Sequence, residues 1–173
     1  DIDLIAVVAG PGSFTGVRIG IAVAQGLSLS AAIPAVPLSS LALSAIATVS
    51  ESPFDKVLVS EKAREGELYF AAYQCSVRQG VELVGREQVA LIEDLDALPE
   101  NFAGSSWSLA GSGWERQGEI LQHLGCTAAA QPQTPVIDNQ LVVRLALLRF
   151  NCSEGVEAAA LRPNYVKEQL DYT

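Results

Sequence analysis

From Leu4 the chain runs through Ile5-Ala6-Val7-Val8-Ala9 into Gly10-Pro11-Gly12, and then into a segment extending to about Ala32 whose only charge is Arg18. A short, nearly continuous apolar run suits a strand buried on both faces better than an exposed edge. Ser13 or Thr15 can start a helix after the glycines, because a side-chain oxygen at that place accepts a bond from an otherwise unpaired backbone N–H. The unit is therefore strand, glycine loop and helix. A helix this apolar has to be covered almost all round, so it constrains every fold the chain can adopt.

Within that helix the small residues Gly16, Gly20, Ala24 and Ser28 recur every four positions, which predicts one face without bulky side chains, flanked by Val17, Ile21 and Leu27. Such a stripe admits a close approach. Whether the neighbour is the chain's own core or a second subunit is left open by the pattern.

Pro34 and Pro37 end the unit and hold the next residues extended. Ser39 or Ser40 then opens a second helix with an apolar stripe of Leu41, Ala42, Ala45, Ile46 and Val49, and Ser50-Glu51-Ser52-Pro53 is a polar break. The expected division is thus 1–50 and 51–173. Beyond the break the runs 56–60, 67–73 and 81–84 are β-rich, separated by the Arg64-Glu65-Gly66 and Arg78-Gln79-Gly80 turns. Residues 106–110 read as another strand closed by Gly111-Ser112-Gly113-Trp114, with a helix over 115–124 after it. Asp138 caps a further helix through Phe150, and 158–166 reads as a helix stub stopped by Pro163 and followed by an extended end.

Composition excludes several classes. The chain of 173 residues is 49% hydrophobic and 18% charged, with Lys+Arg 11 against Asp+Glu 20 for a net charge of −9. That apolar content offsets the entropy of ordering and argues against intrinsic disorder. The acidic balance argues against an autonomous nucleic-acid binder, whose affinity comes from neutralising phosphates. Arg18 and Gln25 interrupt the longest apolar run, so no membrane span of about 18 or more residues is expected. The single histidine, His123, makes a two-histidine metal site or an HExxH arrangement impossible within one chain, and Cys75, Cys126 and Cys152 are scattered, with no CxxC. Three scattered cysteines read as reduced thiols of a cytoplasmic protein. Methionine is absent and the chain opens inside an apolar run, which leads to the expectation of a missing N-terminal piece.

A glycine loop between strand and helix invites comparison with phosphate cradles. GxGxxG would need glycine where Thr15 stands, and a Walker A loop would need Lys after its second glycine, where Val17 stands. As a whole, Gly10-Pro11-Gly12-Ser13-Phe14-Thr15-Gly16-Val17-Arg18-Ile19-Gly20 resembles the signature of the bacterial TsaB (YeaZ) family. Further matches follow in order: Ala24-Gln25-Gly26-Leu27, Pro37-Leu38-Ser39-Ser40-Leu41, Ala63-Arg64-Glu65-Gly66-Glu67-Leu68-Tyr69, Gly111-Ser112-Gly113-Trp114 and Arg162-Pro163-Asn164-Tyr165-Val166. Lys62 departs from the pattern, since the family usually carries aspartate before the Ala-Arg pair.

The resemblance implies an α/β, actin-like and Hsp70-like ATPase (ASKHA) fold of two βα lobes with mixed sheets. The N-terminal lobe would be incomplete, and the tail (about 158–173) would pack back on it. It implies a non-catalytic paralogue and partner of TsaD, the transferase that places threonylcarbamoyl on the adenosine beside the anticodon of tRNAs reading ANN codons, with TsaE as a further partner. Under it the small-residue face, with Gly16, Val17, Gly20, Ile21, Ala24, Leu27 and Ser28, becomes a dimer interface with TsaD or with a second copy. Gly10, Gly12, Ser13 and Arg18 become the residues nearest ATP or ADP at that interface. No catalytic residue, metal or tightly bound cofactor is expected, and tRNA is reached through the complex alone. The rival reading is an enzyme, an ATPase or a glycoprotease-like peptidase, with Ser13, Thr15 and Lys62 as its raw material. His123 near a helix end suits a cap, and Tyr69, Phe70, Tyr73 and Trp114 suit core and sheet positions.

Overall fold

The structure is a computed structural model that describes residues 2–50, 55–76 and 80–166. Most of the expected polar break at 50–53, most of the turn at 78–80 and the tail beyond Val166 lie outside the described residues. Two compact units emerge, Asp1–Leu43 with Ile137–Tyr165 and Ser44–Val136 with Val166–Thr173.

In the first unit, strand β1 (Ile5–Gly10) leads into helix α1 (Phe14–Ala31), which returns the chain to strand β2 (Ala35–Ser39). The two strands pair in parallel, Ile5 opposite Ala35 and Val8 opposite Leu38. Parallel neighbours need a long crossover, and α1 supplies it. Ser13 is the N-cap, its Oγ accepting the Gly16 N–H at 3.4 Å, and the helix ends on Ala32 in the left-handed region (φ 53°). Helix α2 (Ser40–Ser50) follows directly, and residues 41–49 are all buried.

The division between units falls inside α2 instead of at residue 50, and the chain comes back to the first unit at Ile137. The physical reason is a set of contacts that local sequence cannot announce. Helix α4 (Asn139–Asn151), capped by Asp138 Oδ1 on the Leu141 N–H at 2.7 Å, packs on β1 and β2. Val156 then bridges Ala35, and Leu161 is fully buried among Val7, Ala9, Ile21, Ala24 and Ala35. Burying one leucine completely contributes about 1.5–3 kcal/mol. Residues 158–160 form a single 3-10 turn, and no strand forms among 161–166.

The second unit is a five-stranded mixed sheet in the order β5-β4-β3-β6-β7. Strands β3 (Lys56–Lys62), β4 (Leu68–Ser76) and β5 (Gly80–Ala90) are antiparallel neighbours, and β6 (Ser106–Ala110) runs parallel to β3 and to the short β7 (Thr127–Ala128). Helix α3 (Gln117–Leu124) contributes Ile120 and Leu124 to a core that holds Leu58, Phe70, Trp107 and Leu109. Strand β5 runs well past the expected 81–84. Its polar residues 85–88 hide it from a pattern search, and Gly85 at φ +81° marks a register shift there.

Candidate functional site

The loop after β1 is built tightly on one side and open on the other. Gly10 stands at φ +103°, and a Cβ there would lie 3.3 Å from Val17 Cγ2 and 3.5 Å from the Asn164 carbonyl, so glycine is required for both conformation and space. The Asn164 N–H donates to Ala9 O at 2.7 Å, and Ser40 Oγ donates to Pro11 O at 2.5 Å. Gly12 has open space around it. Ser13 spends its hydroxyl on the cap. Of the residues expected nearest a nucleotide, the structure therefore brings Gly10, Gly12 and Ser13 together in one loop and sets Arg18 beyond them on α1.

Arg18 is held from two sides. Its guanidinium carbon sits 3.6 Å above the centre of the Phe14 ring, one helical turn earlier, and 5.7 Å from the centre of Tyr165. Its Nε donates to the Tyr165 hydroxyl at 2.9 Å. Tyr165 comes from the far end of the chain, and Gln25 Nε2 donating to Leu161 O at 3.0 Å ties the same segment to α1.

The small-residue stripe does not keep to the single face expected of it, and its later half is covered by the chain's own core. Gly16 is exposed and Gly20 half-buried, while Ala24 and Ser28 are buried inside their own unit. The reason is geometric: a step of four residues overshoots one turn of 3.6 by roughly 40°, so a four-residue repeat spirals around the axis. Over three steps the stripe passes from solvent to core. Ile21 is buried too, and Val17 packs against the same cluster. A Cβ on Gly20 would rest 3.9 Å from Val7 Cγ2, so the helix lies close over β1. Of the expected interface set, Gly16 and Leu27 are exposed and Gly20 and Val17 half-buried.

What α1 shows instead is a face of large apolar side chains. Ile19, Val23 and Leu27 share one side and are each more than half exposed, while Phe14 and Leu29 are exposed elsewhere around the helix. Three of its eighteen residues are buried. By length and composition alone α1 is long and apolar enough to cross a membrane, against the expectation drawn from Arg18 and Gln25. In this fold its inner side lies on a sheet.

In the second unit the motifs after β3 and β6 interlock. The Gly113 N–H donates to Ser60 O at 2.8 Å, and the Ser112 N–H and Oγ donate to Glu61 Oε2 at 3.1 and 2.5 Å. A Cβ on Gly111, at φ +99°, would fall 2.3 Å from Ser60 O. Trp114 Nε1 donates to Ala110 O at 2.7 Å, which closes the turn. Lys62 donates to Glu115 at 2.5 Å. His123 Nε2 lies 2.7 Å from Leu95 O at the last turn of α3, a position that holds a loop. Phe70, Tyr73 and Trp114 are buried and Tyr69 is half-buried. The three cysteines are free, and burial pushes the Cys75 thiol up to about 12, with Asp55 adding to the shift, and the Cys126 thiol to about 11. Among the described residues no group of three or more His, Cys, Asp or Glu is placed to hold a metal ion.

With this geometry in hand, comparison with known proteins is decisive at the level of family. Residues 1–141 match the family described as TsaD, tRNA N6-adenosine threonylcarbamoyltransferase. Two solved structures from Pseudomonas aeruginosa superpose on the chain. One, described as similar to peptidase YeaZ, has a TM-score of 0.81 and 32% identity, covering 96% of this chain and 74% of that one. The other, described as YeaZ, has a TM-score of 0.75 and 31% identity, covering 94% of this chain and 73% of that one. Together with the two α/β units and their mixed sheet, these matches define a protein of the actin-like ATPase-type fold.

The chain is also 38% identical over 173 residues to the Escherichia coli tRNA threonylcarbamoyladenosine biosynthesis protein TsaB, covering 73% of that protein. It is 41% identical over 183 residues to the Haemophilus influenzae protein of the same name, covering 72% of it. It belongs to the TsaB family.

Proposed function

We propose that this chain is a non-catalytic partner subunit that binds and activates TsaD in the formation of threonylcarbamoyladenosine next to the anticodon of tRNAs reading ANN codons. The observation that carries the reading is the outward face of α1, where Ile19, Val23 and Leu27 leave large apolar surface in water. A contiguous exposed apolar surface on a folded protein marks an interaction site. Support for a non-catalytic role comes from the histidine count: His123 is the one imidazole, and its Nε2 is engaged with a backbone carbonyl. Support for reaching tRNA through a complex comes from the net charge of −9.

On this reading the partner face is the side of α1 opposite the one that Ile21, Ala24 and Ser28 bury. The same face serves TsaD or a second copy of the chain, and TsaE joins the assembled complex in the cytoplasm. ATP or ADP, where one binds, sits at the interface by the Gly10, Gly12 and Ser13 loop. The enzyme alternative, an ATPase or peptidase, draws on the peptidase-like description of one structural relative.

Reconstitution separates the two. Modification of tRNA should require TsaD and this chain together, and the chain alone should turn over neither ATP nor peptide. Turnover by the chain alone, or full TsaD activity without it, defeats the proposal.

A further inference from the structure

On the partner face proposed above, and resting on that reading, Arg18 has a property of its own. It is the only charged residue of α1. Its Nε is used by the Tyr165 hydroxyl and one face of its guanidinium by Phe14, yet neither Nη has an acceptor among the described residues. Arg18 and Tyr165 are both exposed. Elsewhere in the same unit Arg149 is paired with Glu154 and Arg162 donates to backbone carbonyls. In a chain with 20 acidic residues against 11 basic ones, an arginine ordered by two aromatic rings and left without a carboxylate stands out.

We propose that Arg18 is the charged anchor of the partner surface, receiving a carboxylate from TsaD, and that Tyr165 is its positioning residue. A guanidinium offers parallel N–H donors that match the two oxygens of a carboxylate, and it is weakly hydrated, so it suits an interface pair better than lysine. Phe14 and Tyr165 restrict the side chain before binding, which lowers the entropy lost when the pair forms. The surrounding apolar face excludes water from the pair on docking, where close charge pairs couple strongly. The partner surface is therefore apolar, with an Asp or Glu where it meets Arg18. The 161–165 segment gains a role in recognition, since the Asn164 and Leu161 bonds to β1 and α1 set where Tyr165 stands.

The test measures affinity of the whole chain for TsaD by calorimetry without nucleotide, at about 50 and 500 mM NaCl, a range over which screening shortens from beyond to well within 10 Å. Arg18→Ala should weaken binding roughly tenfold or more and remove most of the salt dependence, Arg18→Lys should restore part of it, and Arg18→Glu should be the weakest. Tyr165→Phe should cost about threefold while keeping the salt dependence, which separates positioning from charge. Val23→Asp, in the apolar face, is the control, with melting temperatures confirming that each variant is folded. If Val23→Asp abolishes binding and Arg18→Ala leaves it unchanged, the anchor is overturned while the proposed function stands. If neither variant weakens binding, the partner face itself is wrong. If Arg18→Ala matters only after ATP or ADP is added, the acceptor is a phosphate, and the carboxylate proposal is overturned.

Discussion

Helices α1 and α2 are both uncharged over long stretches and apolar in composition, yet they have opposite fates. In α2, residues 41–49 are all buried, whereas α1 buries Ile21, Ala24 and Ser28 out of eighteen residues. Leu43 is 1% exposed on the one and Leu29 is 77% exposed on the other. Hydropathy treats the two as the same kind of segment. What separates them is how they are buried: residues 41–49 of α2 are closed off from solvent, while α1 rests on β1 along one side. The contrast divides the apolar content of the chain into a part used for stability and a part left for association.

Substitutions can break that contrast. Leu43→Asp in α2 buries a carboxylate with no provision for it, and should prevent folding at ordinary temperatures, a loss of more than about 4 kcal/mol by urea denaturation. Leu41→Ala should cost about 2–5 kcal/mol by the same measurement, from lost burial and the cavity left behind. On α1 the inner and outer sides should behave differently. Ala24→Leu forces extra volume against Val7 and Leu161, and should cost about 1–3 kcal/mol. A neutral stability change at Ala24, with loss of TsaD binding, would reinstate the small-residue stripe as the interface. Val23→Asp should change stability by no more than about 0.5 kcal/mol while abolishing the complex.

Alkaline pH gives a finer view of the second unit. A thiol held up to about 12 from an ordinary 9.0 remains protonated in the fold where the unfolded chain has already lost its proton. Cys75 therefore contributes stability that is intact below about pH 9 and is lost as pH rises from there toward 12. Near pH 10.5 the loss should be about 2 kcal/mol, and Cys75→Ala should flatten that part of the stability profile. At pH 8 the exposed Cys152 should react with a soluble thiol reagent in the native protein well before Cys75 or Cys126.

Much of the local structure was legible in the residues. The strand, glycine loop and helix at Ile5–Ala31, the Ser13 and Asp138 caps and the end of α3 at Leu124 all follow from patterns a few residues long. Strand β5 beyond Val84 was not legible, because its polar residues have no alternation to display. Of the candidate site, the placement of Gly10, Gly12, Ser13 and Arg18 on one loop and the helix after it was legible. Phe14 and Tyr165 went unassigned, since nothing local says that residue 165 reaches residue 18.

By itself, the sequence determined the family, the element types and the limits on chemistry, since one histidine and a net charge of −9 hold in any fold. Tertiary structure alone decided which side of α1 is inside. Helix geometry makes a four-residue repeat drift by roughly 120° over three steps, and packing on β1 then decides that Gly16 meets solvent while Ser28 meets the core. Tertiary structure also decided that residues 137–157, ahead of the tail expected to return there, rejoin the first unit, because strand pairing acts between residues more than a hundred positions apart.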